Sequence, residues 1–374
     1  MRKKILFISS WYPSKVEPTN GNFVQRHAEA VALKNDVEVL HAVGCTTQKE
    51  PYIMEKTEVN GITTTIVYYK VTALPALNFI RRWRAYQKGW RGINHPDLVH
   101  ANILKNSMLF AVWLKWRYRI PFVISEHWSI YLKENRSKLS KGKLYIAKVI
   151  AQYASCILPV SYAMKNHLTE LGFQNRFKVV GNVVDTQLFS VKNDKSELFT
   201  FLHISNLVPL KNANKIIKVA TQLRAIHQNF RLCIGGDGEV KPLKALIARL
   251  DATAYIEVFE TLTLAEVADK MKHSHCFVLF SDYENFPCVL LESIATGTPV
   301  IATDVGGVSE IVNIGNGVLI SNSEEELLAV MKKMLEREYA FSSPEALHKE
   351  IEAKYSRRVI SEMLDEVYQK VLSR

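Results

Sequence analysis

Short apolar runs alternate with amphipathic stretches along nearly the whole chain, the pattern of buried strands joined by crossover helices in a parallel sheet. In the first half it places strands at Ile5–Ser9, Val37–His41, Thr63–Tyr69, Leu98–His100, Phe122–Ser125 and Cys156–Val160. In the second half they fall at Phe199–Ile204, Arg231–Gly235, Tyr255–Val258, Cys276–Phe280, Val300–Ala302 and Gly317–Ile320. The polar stretch Ser190–Glu197 has no apolar face and follows directly on Asp185–Phe189, so it reads as a linker. The expected architecture is α/β, with one unit over 1–189 and a second over 190–355, and a last helix near 356–374 that packs back on the first. No tandem repeat or low-complexity tract is present, which disfavours solenoids and propellers.

Length supports the division, since 374 residues exceed what one core usually supports at roughly 150 residues per domain. With 48% hydrophobic and 23% charged residues, the composition is that of an ordinary globular protein. Cys45, Cys156, Cys233, Cys276 and Cys288 form no C-x-x-C pair and no zinc-spaced cluster, so they read as reduced thiols. Arg2-Lys3-Lys4 before Ile5–Ile8 imitates a signal peptide, but the apolar run ends at Ser9. No run approaches the roughly 20 apolar residues that cross a bilayer. The expectation is a cytoplasmic protein.

Charge adds an asymmetry. Within a net +11, residues 1–190 hold 27 Lys and Arg against 12 Asp and Glu, and the remainder 21 against 25. The first half therefore expects an anionic partner. Between Phe79 and Arg91, the residues Phe79, Ile80, Trp83, Tyr86 and Trp90 share one helical face, flanked by Arg81, Arg82, Arg84, Lys88 and Arg91. Such a helix suits the inner face of an anionic membrane, or else packs its aromatics on the sheet and leaves its charges in water. Nucleic acid is a poorer partner, since no recognised binding motif accompanies the charge.

Ligands of open α/β sheets bind beyond the carboxyl ends of strands, which directs attention to the loops. After Phe277–Phe280 comes Ser281-Asp282-Tyr283-Glu284-Asn285-Phe286-Pro287-Cys288-Val289-Leu290-Leu291-Glu292, with Pro287 suited to a first helical turn and Gly297 to its end. Glu284 then lies on the loop and Glu292 inside the helix, up to roughly 12 Å apart. Two carboxylates so spaced can grip sugar hydroxyls at either end of a nucleotide sugar, with amides near Asn285, Phe286 and Pro287 adding donors. Alternatively, Glu284 caps the helix and Glu292 is merely solvated.

This stretch, continued by Thr298–Val312 with its Gly306-Gly307 turn, resembles the E-x7-E signature of glycosyltransferase family 4, a retaining group with the GT-B fold. The resemblance implies two Rossmann-like domains facing each other across a cleft, the first binding acceptor and the second a nucleotide diphosphate sugar. It assigns Glu284 to the donor sugar and Glu292 to the ribose. Lys211, in Ser205-Asn206-Leu207-Val208-Pro209-Leu210-Lys211, would bind the diphosphate, although a solvated loop lysine is the alternative. Where the family usually has Arg, this chain has Asn206, so one of two expected cations is missing. Gly21 and Asn22 match the family's glycine loop, and His127, in Ser125-Glu126-His127-Trp128, its catalytic histidine; otherwise His127 is a loop residue packed on Trp128. His100 and Asn182 also resemble family positions.

Gly235-Gly236-Asp237-Gly238 is not a dinucleotide fingerprint, and Asp282-Tyr283-Glu284 lacks companions for a metal. No metal or cofactor is expected. The implied activity is retaining transfer of a hexosyl group to a glycan or lipid-linked acceptor, with Glu284, His127 and Lys211 at the reacting centre. The rivals are a nucleotide-sugar epimerase of similar fold and a noncatalytic nucleotide-sugar-binding protein.

Overall fold

Runs such as Ile5–Ile8 become strands that are buried on both faces, as parallel strands covered by helices must be. The structure, a computed structural model, describes residues 2–192 and 195–373. Asn193 and Asp194, in the expected linker, lie outside the described residues. The chain divides into two units: unit 1 runs to Val183 and resumes at Arg357, and unit 2 is Val184–Ser356. The boundary precedes the expected 189 because Val184 pairs with Ser356 and donates its N–H to the Tyr355 carbonyl.

Unit 1 contains β1 (Lys4–Ser9), α1 (Asn22–Ala32), β2 (Asp36–Cys45), β3 (Tyr52–Val59), β4 (Ile62–Lys70), α2 (Pro75–Trp90), β5 (Leu98–Asn102), α3 (Leu109–Tyr118), β6 (Phe122–Glu126), α4 (Lys141–Tyr153), β7 (Cys156–Pro159) and α5 (Tyr162–Glu170). Its sheet has the order β3-β4-β2-β1-β5-β6-β7 and is parallel except for the antiparallel edge strand β3. That strand escaped the periodicity reading because Tyr52–Val59 is half exposed and polar. Its local signal is the Asn60-Gly61 turn, both residues at positive φ (49° and 76°), the two-residue hairpin preference.

Unit 2 contains β8 (Phe199–Ser205), α6 (Ala213–Arg224), β9 (Phe230–Gly236), α7 (Lys241–Arg249), β10 (Ile256–Phe259), α8 (Leu264–His273), β11 (Cys276–Leu279), α9 (Cys288–Ala295), β12 (Val300–Thr303), β13 (Gly317–Ile320), α10 (Glu324–Leu335) and α11 (Pro344–Tyr355). Its sheet is parallel with the order β10-β9-β8-β11-β12-β13. The order reverses between β8 and β11, and in unit 1 between β1 and β5. These switch points open crevices at the strand carboxyl ends.

The last helix, α12 (Arg357–Leu372), returns to unit 1 and buries Ile360, Leu364 and Tyr368 with Val24, Ala28 and Val31 of α1. Lys3 Nζ meets Asp365 at 2.7 Å, and the Tyr368 hydroxyl lies 2.5 Å from His100 Nδ1. His100 Nε2 in turn reaches Ser125 Oγ at 2.8 Å, so this histidine ties helix to sheet.

The aromatic face of α2 turns inward. Tyr86 stacks on Phe110 at 5.2 Å, and Trp83 meets Phe110 and Trp113 edge-on at 5.4 and 6.0 Å. Of the five residues expected on that face, Ile80 is the one left exposed. The face is spent on the fold, because rings on adjacent helices gain more from each other than from water. Arg81 and Arg82 are likewise committed, to the Lys70 carbonyl and the Tyr69 hydroxyl. All five cysteines are free thiols.

The loop after β11 is latched to the end of β12. Thr303 Oγ1 accepts from Ser281 N at 3.0 Å and donates to Ser281 O at 2.7 Å, and Gly307 N donates to Asn285 O at 3.0 Å. Gly306 has φ of 58°, and a Cβ there would lie 1.8 Å from the Glu284 carbonyl oxygen. Gly61 also has positive φ, but a Cβ there would meet nothing within 4 Å. Gly61→Ala is therefore expected to cost about 1 kcal/mol of stability from backbone strain alone. Gly306→Ala should cost at least ~1 kcal/mol more, because the loop must also move. Urea unfolding of the two variants checks this, and equal losses would refute the close packing behind Glu284.

Candidate functional site

The strand β8 leaves its sheet through a tightly bonded exit. His203, fully buried, engages Val278 O at 2.8 Å and Ser205 Oγ at 2.9 Å, and Ser205 Oγ also accepts from Leu207 N. Burial pushes the His203 ring down to about 4, so it is a neutral fixture. A short 3-10 turn, Pro209–Lys211, follows, and Asn212 takes a left-handed conformation (φ 50°) as the N-cap residue of α6. Asparagine tolerates this region better than most residues.

Lys211 reaches across the switch point. Its Nζ lies 2.5 Å from Glu284 Oε1, and the two side chains are only 16% and 9% exposed. Glu284 stands on the loop between β11 and α9, which begins at Cys288 with Pro287 as its N-cap residue, one place before the first turn expected for it. Phe286 is buried against Tyr355 at 5.5 Å, which anchors the loop on its far side. Glu292, inside α9, is 3% exposed, so it is not a solvated helix residue. Asn285 is half-buried between these anchors, while Asn206 is exposed on the opposite loop.

Asp282 joins the two loops. Its Oδ1 accepts from Asn212 Nδ2 at 2.6 Å and Asn322 Nδ2 at 2.9 Å, and its N–H donates to Leu210 O at 2.9 Å. The sequence alone assigns no role to Asp282 or Asn212. The available signal was an asparagine directly after the candidate lysine, at the start of a helix, where φ turns positive. Chemically, this arrangement presents an ammonium and a carboxylate, each neutralising the other and each able to exchange its partner for a phosphate or a hydroxyl.

Unit 1 assembles a separate group at its own strand ends. Gly21, at φ 81°, is the N-cap residue of α1 and packs on Trp11, whose carbonyl oxygen would be 2.5 Å from a Cβ there. Asn22 opens the helix. Phe23 packs against His127 in a tilted arrangement at 4.4 Å, and His27 meets His127 edge-on at 5.5 Å. Trp11 contacts Phe23 and Trp128, so Gly21, Asn22 and His127 belong to one neighbourhood. Burial first, then the proximity of His27 and His100, with which it cannot share positive charge, hold His127 well below the usual histidine range, which makes it a neutral imidazole. Asn182, also buried, lies on the chain leaving this unit.

Glu126 went unnoticed in the sequence. It is fully buried and accepts from Leu104 N at 2.6 Å and Trp128 N at 2.5 Å. These amides favour the carboxylate, but desolvation outweighs them and pushes the group up to about 7. The folded protein then holds a proton that the unfolded chain has lost. Stability from this group is complete below the ordinary value of 4.5, declines as pH rises, and is gone above about 7. The total is about 3 kcal/mol. All six tryptophans precede residue 190, so their fluorescence follows unit 1. Urea unfolding read this way should show a smaller stability loss between about pH 5 and 8 in Glu126→Gln than in the wild type. Identical pH profiles would refute the assignment.

Comparison with known proteins gives this geometry a setting. The model for glycosyl transferases group 1 matches residues 184–356, and that for glycosyltransferase family 4 matches residues 22–188. An uncharacterized glycosyltransferase of Methanocaldococcus jannaschii is 30% identical over 246 residues, covering 65% of this chain and 66% of the relative. The putative teichuronic acid biosynthesis glycosyltransferase TuaC of Bacillus subtilis is 25% identical over 98% of each chain. Among solved structures, Anabaena HepE in complex with UDP-glucose superposes with a TM-score of 0.74 at 18% identity, covering 99% of this chain and 100% of that one. That likeness is one of fold, the two-domain GT-B arrangement of paired Rossmann-like units. The chain belongs to the group 1, family 4 glycosyltransferases.

Proposed function

We propose that this glycosyltransferase moves a hexosyl unit from a nucleotide diphosphate sugar to a hydroxyl of a glycan or lipid-linked acceptor, with retention of configuration. The observation that carries this reading is the Lys211–Glu284 pair at the switch point of unit 2. On this reading the diphosphate takes Lys211 from Glu284, and the released carboxylate turns to the hydroxyls of the sugar. Glu292 holds the ribose, and the amides of the Asn285–Pro287 loop supplement the site, with Asn206 offering a neutral hydrogen bond.

The main electrostatic contribution is stabilisation of the departing phosphate by Lys211. In a same-face transfer that phosphate also takes the acceptor proton, so no protein nucleophile is required. Neutral His127 then positions sugar hydroxyls by hydrogen bonding, with Gly21 and Asn22 shaping the loop beside it. No metal or cofactor enters this scheme. The complex of HepE with UDP-glucose supports a nucleotide-sugar donor, and the teichuronic acid biosynthesis for which TuaC is named supports a glycan acceptor.

Melting temperatures with UDP-, GDP- and ADP-sugars test the donor site, since a ligand that prefers the folded state raises them. One nucleotide sugar should stabilise the wild type, and Lys211→Met should lose that shift measured against its own ligand-free state. Glu284→Ala should lower acceptor-dependent nucleotide release by ~100-fold or more. Full activity in Glu284→Ala would refute its role, and donor converted to an epimer without acceptor would refute transfer.

The anionic partner expected for the basic first half belongs to the same proposal. No helix among the described residues is long and apolar enough to cross a membrane. With the aromatics of α2 turned inward, contact with an anionic leaflet rests on exposed Arg84, Lys88 and Arg91 beside Leu74 and Ile80. Sedimentation with phosphatidylglycerol vesicles should show binding at low salt that weakens when Arg84 and Arg91 become Gln. Absence of binding at low salt would eliminate peripheral association.

A further inference from the structure

We propose that unit 1 carries a subsite for a negatively charged sugar, built on Lys105 and Trp128 beside its own switch point. It rests on the reading of unit 1 as the acceptor-binding half, and it narrows the acceptor to a glycan bearing a uronate or a sugar phosphate there.

The loop after β5 is built to present one side chain. Leu104 is held by both backbone groups: its N–H donates to Glu126 at 2.6 Å, and its carbonyl accepts from the Tyr131 hydroxyl at 2.5 Å. Ile103, buried and β-branched, is thereby kept at φ 74°. A β-branched residue in that region is a true outlier, maintained only where the surroundings dictate it. The consequence is the position of Lys105.

Lys105 is half-buried, with its ammonium 5.7 Å from the Trp128 ring centroid. Among the described residues it has no carboxylate within ion-pair distance. Its charged surroundings are Arg82 of α2 and Lys143 of α4, of like sign, and Glu17, of opposite sign; burial and the two cations together lower its affinity for a proton. A cation that is desolvated but not neutralised is a site awaiting an anion. The ring offers partial compensation, but a structural role alone is served equally by an uncharged chain of the same length.

The neighbours suit a sugar. Trp128 and Trp11 meet edge-on at 5.9 Å, and the face of a single indole ring is the kind of flat apolar surface on which a pyranose packs. Ser10 and Ser107 bring their hydroxyls within 2.5 Å of each other on the two loops that flank the switch point. Asn102, at the end of β5, keeps a buried Oδ1 without a protein partner. Together these give a cation for the acidic group, a ring for the sugar face and polar groups for its hydroxyls.

Tryptophan fluorescence of the full chain tests this without donor or turnover. The probes are methyl glucuronide, glucose 6-phosphate, methyl glucoside and inorganic phosphate. At least one charged sugar should bind roughly tenfold or more tightly than methyl glucoside, the scale of one charge-assisted hydrogen bond. Added salt and Lys105→Met should each erode that advantage, and Lys105→Arg should keep part of it. Preference for the glucuronide identifies a uronate, and preference for the phosphate a sugar phosphate. Equal binding of charged and neutral sugars, or an advantage that survives Lys105→Met, overturns the proposal. Inorganic phosphate binding as tightly as glucose 6-phosphate overturns it too, because the site would then read a free anion. Failure here leaves the donor reading of Lys211 and Glu284 intact, since neither residue is probed.

Discussion

A charge withdrawn from water must find an opposite charge or a ligand, and the candidate site of unit 2 is organised around that requirement. Lys211 and Glu284 come from loops separated in sequence, and each is largely shielded. Either one alone would be costly to bury. The pair therefore fixes the spacing of two strand exits, and every neighbouring device serves to hold it: the left-handed turn at Asn212, the carboxylate of Asp282 spanning both loops, and Gly306 lying flat against the backbone of Glu284. Loss of any of these would change the distance between the charges before it changed the fold of the sheet.

Unit 1 solves a related problem differently. Glu126 is buried without a cation, so it is satisfied by backbone amides and retains its proton to higher pH. Its partner Leu104 belongs to the loop that carries Lys105, so an acid in the core sets the place of a base near the surface. The histidines nearby are neutral for the same reason that Glu126 is protonated: low-dielectric surroundings disfavour the charged form of both. The strand ends of this unit thus offer neutral hydrogen-bonding groups with Lys105 as an added positive charge.

Much of this was legible in the linear sequence. Strands buried on both faces announce themselves as apolar runs, and the loop-to-helix stretch from Glu284 to Glu292 has a spacing and a proline that fix its geometry locally. What could not be read was what depends on distant partners. The aromatics of α2 looked free to meet a membrane because Phe110 and Trp113, which cover them, lie some way along the chain. Asp282 looked like a loop acid because Asn212 and Asn322 approach it from other segments. Glu126 looked like a neighbour of His127 because burial has no sequence signature for a single carboxylate. The edge strand β3 is the exception: its Asn60-Gly61 turn was a local signal, and alternation alone was too weak a criterion for a half-exposed strand.

Asn206 stands where the resemblance implies an arginine, and under the proposed function this bears on how donor recognition is divided. Lys211 and Glu284 sum to no net charge, and Asn206 adds none. On that reading, an incoming diphosphate gains little from long-range attraction at this point and must displace a carboxylate to gain its contact. Under the proposed reading, that displacement is offset only when sugar hydroxyls take up the freed Glu284. Phosphate binding and sugar binding then become one event, because neither member of the pair can be released without a new partner for the other. A second cation at 206 would loosen this coupling by holding the diphosphate whatever Glu284 does. On the proposed reading, asparagine here thus shifts the donor site from tight capture of any nucleotide toward discrimination by the sugar attached to it.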